Sequence, residues 1–226
     1  MRILVLDVGG TKVKISVGGT QPLIRIPSGP KLTPARMVAD VQRAIAGQIY
    51  DVVSIGYPGP VSDGRPAGEP KNLAKGWVRF DYQKAFGAPV RVLNDAAMQA
   101  LGSYRGGRML FLGLGTGLGS ALVVDGVVHP LELAHLPYRK DGTYEDYVGL
   151  RGLDRMGHGK WQKHVGHVVE ILKHALQVDY VMLGGGQARK LDDIPAGAEL
   201  GDNALAIQGG IRLWTDPKKP VRGKGR

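Results

Sequence analysis

Two short turns carry residue types suited to holding phosphate. Gly9-Gly10-Thr11 and Gly115-Thr116-Gly117 each place glycine beside threonine at the end of an apolar run. Without Cβ atoms the backbone can approach a polyanion closely and aim several N–H groups at it, and the threonine hydroxyl adds a donor. Either turn alone reads better as a tight hairpin without a ligand. Two matched turns can grip a phosphate chain together. The commoner phosphate cradles are excluded by spacing. No segment has the order G-x-x-x-x-G-K-[ST]. The run Gly113-Leu114-Gly115-Thr116-Gly117-Leu118-Gly119 lacks the G-x-G-x-x-G order and leads into a strand instead of a helix. His164, His167 and His174 have a spacing that suggests metal, but their helix offers apolar neighbours and no acidic cluster, so no zinc is expected there. The chain has no Cys, which removes thiolate zinc ligands, a Cys nucleophile and any disulfide framework.

The elements that must hold these turns alternate in kind. Met1–Val8 reads as a buried strand with a continuous apolar core, and Lys12–Val17 alternates with period two, so the chain doubles back as a hairpin. Thr33 caps a helix with Pro34 in its first turn, and Met37, Val38, Val41, Ala44, Ile45 and Ile49 fall on one face. Val52–Ile55 and Val90–Leu93 are short apolar strands separated by a Gly/Pro-rich loop from Ser62 to Trp77, and Asn94-Asp95 opens a helix through Ala96–Tyr104. The opening pattern then returns: strand Met109–Leu114, Gly-Thr turn, strand Gly119–Val124, with Asp125-Gly126 as a hairpin signal. Laying Gly9-Gly10-Thr11 over Leu114-Gly115-Thr116 gives an offset of 105 residues, a sign of two lobes related by duplication. Thr143 caps a further helix with Asp146 at its third position, and helices at Trp161–Leu176 and Asn203–Trp214 flank the strand Tyr180–Leu183. Alternating strands and helices give an α/β class. The hairpins argue for two lobes with mixed sheets, facing one another across a cleft.

Composition narrows the field further. The 226 residues are 43% hydrophobic and 22% charged, as a globular chain requires, and 35 are Gly, about twice the usual share. The start has one basic residue and only Ile3–Leu6 before Asp7, too short for a signal peptide, and no apolar stretch is long enough to span a membrane. A cytoplasmic protein is expected, with no membrane partner. The net charge of +10 points to an anionic partner: nucleic acid, lipid or a phosphorylated small molecule. Six Lys/Arg against one acid lie in the Pro/Gly-rich end Arg212–Arg226, which reads equally as a solvated tail.

The motifs together carry a resemblance. Asp7-Val8-Gly9-Gly10-Thr11-Lys12 resembles the first phosphate motif of the ROK sugar kinases (repressor, open reading frame, kinase), and Gly115-Thr116-Gly117-Leu118-Gly119 resembles the second. Asn94-Asp95 matches the family's catalytic pair, and Glu132-Leu133-Ala134-His135 resembles its sugar motif. Thr143-Tyr144-Glu145-Asp146-Tyr147-Val148-Gly149 is most similar to the polyphosphate glucokinase branch. The likeness extends from Met1 to about Trp214, taking in Asn72-Leu73 and Gly184-Gly185-Gly186. It departs in two places. The Cys-rich zinc motif of most members is missing, as in the polyphosphate branch, and the chain starts on its first strand without a helix-turn-helix module.

This resemblance implies a two-lobed actin-like, ribonuclease H-like fold. Residues 1–105 would form a first lobe with the first phosphate loop and the catalytic Asp. Residues 106–226 would form a second with the other loop and the sugar motif, ending in a helix and the basic tail. It implies Asp95 as general base toward a sugar 6-hydroxyl; read alone, Asp95 is equally a helix N-cap. Asn72, Asn94, Glu132, His135 and Glu145 would bind the sugar. The structural alternatives are a strand-end polar group for Asn94, a first-turn charge for Glu145 and a structural imidazole for His135. Asp7 would order the donor through Mg2+ or a water, or else simply cap the turn. Gly9, Gly10, Thr11, Gly115, Thr116 and Gly117 would hold donor phosphates, joined by Lys12 unless it is only an exposed strand residue.

The implied activity is transfer of a phosphoryl group from polyphosphate, ATP or both to glucose, with Mg2+ accompanying the donor and no zinc. An adenine pocket would lie near Gly184-Gly185-Gly186 and a following helix, yet Gln187–Gly201 is short and poor in large apolar groups. Polyphosphate needs a basic track instead, for which Arg105, Arg108, Arg139 and Lys140 are the candidates by position in sequence. Competing readings are an ATP-only kinase for mannose, fructose or an N-acetylhexosamine, a non-catalytic sugar sensor, and a nucleic-acid-binding protein. The last lacks any reading module. A homodimer is compatible with the sequence.

Overall fold

The computed structural model describes residues 1–202 and 204–215. The apolar run of β1 (Ile3–Val8) is buried, as a strand covered on both faces must be. It pairs antiparallel with β2 (Lys12–Val17), which pairs in turn with β3 (Ile24–Pro27). The chain then climbs α1 (Pro34–Ala44), capped by the Thr33 hydroxyl on the Arg36 amide and burying Met37, Val38 and Val41. Ile49 lies beyond that helix and is exposed, so the apolar face ends earlier than the sequence period suggests. The chain returns as β4 (Val52–Tyr57), parallel to β1. A ribbon of β5 (Val61–Ser62) and β6 (Arg65–Pro66) and the short α2 (Tyr82–Phe86) precede β7 (Val90–Asn94), parallel to β4. The sheet order is β3-β2-β1-β4-β7.

After α3 (Asp95–Ser103) the same plan repeats. Strand β8 (Arg108–Leu114) pairs antiparallel with β9 (Leu118–Val124), and β9 with β10 (Val127–Leu131). Asp125 and Gly126 both take positive φ in the β9–β10 turn, the geometry that Asp-Gly favours. Helices α4 (Tyr144–Val148), α5 (Leu150–Met156) and α6 (His158–Ala175) follow. Then β11 (Tyr180–Gly184) lies parallel to β8, and β12 (Ala198–Leu200) parallel to β11. The order β10-β9-β8-β11-β12 matches the first sheet strand for strand in sequence order and sense. The recurring Gly-Thr turns thus sit at equivalent hairpins.

Contacts divide the chain into one unit of Met1–Met98 with the segment from Ala206, and another of Gln99–Leu205. The sequence pattern puts the boundary at 105 and the last helix with the second half. The last helix, α7 (Leu205–Thr215), instead packs on the first sheet. The reason is local. Gly210 has no Cβ and seats against Val5 and Ser54; the Ser54 hydroxyl donates to the Gly210 carbonyl at 2.6 Å and accepts from Trp214 Nε1 at 2.9 Å. Asn203 and the basic end from residue 216 lie outside the described residues. Among the described residues no helix is long and apolar enough to cross a membrane.

Candidate active site

In the first unit, Val8 opposite Val13 closes the β1–β2 hairpin, and the Gly9 amide donates to the Lys12 carbonyl at 3.0 Å. Thr11 and Lys12 are exposed at its tip. A Cβ on Gly10 would stand 3.3 Å from the Asn72 side chain, so the structure brings Asn72 against the turn. Asp7 faces Lys14 across the strands, and Lys14 Nζ donates to its Oδ2 at 2.6 Å. Lys14 carries no signal in the sequence beyond its place in an alternating strand. Only the register of the hairpin makes it the partner of Asp7.

Asn94 ends β7 and Asp95 begins α3, and the two divide the work differently from the sequence alternatives. Asn94 takes the cap: its Oδ1 accepts from the Ala96 amide at 3.0 Å and the Ala97 amide at 3.3 Å, while its Nδ2 donates to the Gly59 carbonyl at 3.1 Å. Asp95 therefore starts the helix without being needed to cap it, although its Oδ1 also accepts from the Ala96 amide at 2.8 Å. Its carboxyl is pushed up to about 7, first by burial and then by the negative charge of Asp7. The backbone amides and the Lys14 ammonium pull the other way and are outweighed. A carboxyl poised there can accept a proton near neutral pH.

The second unit holds the other turn. Leu114 opposite Leu118 closes it, the Gly115 amide donates to the Gly117 carbonyl at 3.1 Å, and the Leu150 amide donates to the Gly115 carbonyl at 2.9 Å. Three glycines let other segments reach this turn. A Cβ on Gly117 would collide with the Glu145 carboxylate, one on Gly149 would crowd the Thr116 carbonyl at 2.9 Å, and one on Gly185 would collide with the Leu114 backbone. Gly185 also has φ +83°, a conformation other residues resist. The expected helix after Gly184-Gly185-Gly186 is only a 3-10 turn, Ala188–Lys190, before the three-residue β12.

Beside the turn, the sugar-motif residues converge. Ser120 donates its hydroxyl to the Leu131 carbonyl at 2.9 Å and accepts from the Leu133 amide at 3.1 Å, which fixes the 3-10 turn Leu133–His135. His135 Nδ1 then stands 3.6 Å from Glu132 and its Nε2 3.8 Å from Glu145. The start of α4 positions Glu145: the Thr143 amide and hydroxyl both donate to Asp146 Oδ2, at 3.0 and 2.8 Å. Glu145 is free of that capping role, its side chain 29% exposed against 71% for Glu132. An imidazole flanked by two carboxylates offers alternating donors and acceptors, the pattern a polyol needs.

One expectation fails here. Arg105 precedes β8 and Arg108 begins it, whereas the Gly115–Gly117 turn follows it; at ~3.3 Å per residue that strand separates them from the turn by roughly 20 Å. Arg105 pairs with Glu199, and Arg108 donates to the Leu176 carbonyl at 3.1 Å, so neither flanks the turn. Of the α6 histidines, His164 and His167 join an aromatic cluster around Tyr138 that the sequence did not reveal. His164 packs on Tyr138 and Tyr147 and bonds the Tyr138 hydroxyl at 3.1 Å.

No protein-family model matches the chain. It is similar to a polyphosphate glucokinase of Mycobacterium tuberculosis, 27% identical over 212 aligned positions that cover 83% of this chain and 78% of that protein. A Mycobacterium leprae polyphosphate glucokinase is 26% identical over the same share of this chain. Among solved structures, an inorganic polyphosphate/ATP-glucomannokinase from Arthrobacter superposes with a TM-score of 0.70 at 20% identity, over 93% of this chain and 99% of that one. A ROK-family glucokinase from Streptomyces griseus, solved with glucose and AMPPNP, gives 0.68 at 19% identity, over 94% and 99%. The chain is thus related in sequence to the polyphosphate glucokinases and has the fold of ROK-family sugar kinases.

Proposed function

We propose that this protein is a hexokinase-type phosphotransferase that moves the terminal phosphoryl group of inorganic polyphosphate to the 6-hydroxyl of glucose, with Asp95 as general base. The observation that carries the reading is the state of Asp95: relieved of capping by Asn94 and raised to about 7, its carboxyl suits a base working at neutral pH. Relatives named polyphosphate glucokinases support the substrate and donor classes.

In this mechanism Glu132, His135 and Glu145 hold the sugar hydroxyls, with Asn72 and Asn94 as further contacts. Asp95 accepts the 6-hydroxyl proton as that oxygen forms its bond to the terminal phosphorus. The bridging P–O bond breaks, the shortened chain leaves, and the proton stays on Asp95. Gly9–Thr11 and Gly115–Gly117 supply amide donors to the donor oxygens, and Lys12 adds a cation. A Mg2+ bound with the donor would supply charge neutralisation at its phosphates, and Asp7 is the residue that would face it. Asp7 is held by Lys14 at 2.6 Å, which suits a water-mediated contact to such a cation better than direct ligation.

ATP is the second donor to consider, since the Arthrobacter neighbour is named for both. The short Gln187–Gly201 segment, with only a 3-10 turn and a three-residue strand, favours polyphosphate as at least its equal. The test is a coupled assay for sugar 6-phosphate across sugars and donors. Glucose with nucleotide-free polyphosphate should give product with Mg2+ and none with EDTA. Product from ATP alone would overturn the donor assignment, and product from neither would overturn the kinase.

A further inference from the structure

The first unit contains an open groove of about 770 Å3 between β3 and α1, lined by Ile26–Leu32 and by Arg36, Asp40 and Arg43. It starts at the first phosphate turn. Pro27 pairs with Lys12, the Ser28 amide donates to the Thr11 carbonyl at 3.0 Å, and the Ser28 hydroxyl donates to the Gly9 carbonyl. From there its wall carries Lys31, Arg36 and Arg43 against a single acid. Asp40 sits between the arginines, 3.5 Å from Arg36 and 3.1 Å from Arg43, and pairs with both while their side chains stay 71% and 77% exposed. None of these residues belongs to the sugar or base machinery, and no motif in the sequence singles them out.

Arg36 and Arg43 lie two helical turns apart, ~10 Å along α1. A compact anion held at Gly9–Thr11 cannot meet Lys31 and both arginines at once, whereas a linear one can. Arginine also suits this purpose, since its planar fork bonds phosphate oxygens in pairs. We propose that this groove is the track for the body of a long polyphosphate chain whose reacting end lies at the first phosphate turn, so that it sets the enzyme's preference for chain length. The inference rests on polyphosphate being the donor.

The test compares long-chain polyphosphate with tripolyphosphate as donors, for the wild type, the double variant R36A/R43A, and K31A. The expected result is a KM for the long chain raised about tenfold in R36A/R43A and less in K31A. The KM for tripolyphosphate and for glucose should stay within about twofold, which also shows that the variants are folded. The slope of log KM against log salt for the long chain should fall by about one per cation removed. An unchanged long-chain KM, or an equal rise for both donors, overturns the groove while leaving polyphosphate as donor. No turnover of either polyphosphate by the wild type overturns the donor assignment itself, and the groove with it.

Discussion

The two sheets share one strand plan and put opposite things at the same place in it. One pair back from the hairpin turn, the first sheet sets Asp7 against Lys14, joined at 2.6 Å. At the matching pair the second sheet sets Gly113 against Gly119. The first hairpin therefore places charge next to its Gly-Thr turn, and Asp95 responds to it. The second strips side chains away, and its turn is instead hemmed by Gly149, Gly185 and Glu145 from other segments. A repeated scaffold fixes where backbone amides point, and the few residues that break the repeat set the charge and the crowding around each turn.

The largest effect should come from removing the base. Asp95→Asn keeps the size and the Ala96 contact but cannot take a proton, so kcat should drop by roughly 10²–10⁴. Stability should move the other way. A carboxyl raised from 3.8 to about 7 binds more protons folded than unfolded between those values, so it lowers stability as pH rises through that window and stays unfavourable above it. Asp95→Asn should thus melt higher than wild type at pH 8, with the gain shrinking toward pH 4. A lower melting temperature at pH 8 would contradict the raised carboxyl.

Next come two glycines of the second unit. Gly185→Ala should destabilise by about 2–4 kcal/mol, because it adds a collision with Leu114 to a left-handed backbone. Gly115→Ala meets nothing within 4 Å, so its melting temperature should hold, while the donor KM rises about tenfold because the added methyl keeps a phosphate oxygen from reaching an amide of the turn. Denaturation and donor titration separate the two; equal effects on both would mean that the second turn is only structural.

A smaller shift should follow Lys14→Met. Lys14 pulls the Asp95 carboxyl down and offsets Asp7, so its loss should move the acidic limb of the kcat/KM profile to higher pH. A limb that stays in place would uncouple the hairpin charges from the base. The smallest effect belongs to Arg105→Ala, at the far end of β8. It should leave the polyphosphate KM within about twofold, and a large rise would return Arg105 to the donor track.

What the sequence made legible was local. Thr33-Pro34, Asp125-Gly126 and Thr143 with Asp146 each fix a cap or turn by chemistry within four residues, and each stands as read. Long apolar runs such as Ile3–Leu6 announce buried strands in the same way. Short edge elements, β3, β12 and α2, gave no such signal, since their neighbours hold them and not their own propensity. Among site residues, the motif positions stood out, whereas the Asp7–Lys14 pair depends on hairpin register and the Asn94 cap on a one-residue choice at a strand end. Arg105 and Arg108 show the converse: closeness in sequence to the second turn became distance, because a strand runs between them.

The most direct measurement is the pH dependence of kcat for glucose 6-phosphate formation from nucleotide-free polyphosphate, with Mg2+ saturating. A base at Asp95 predicts turnover that rises through a single ionisation near pH 7 and levels above it. Turnover that is flat from about pH 5 to 8, or that falls as the pH rises through 7, would contradict Asp95 as the group that takes the proton.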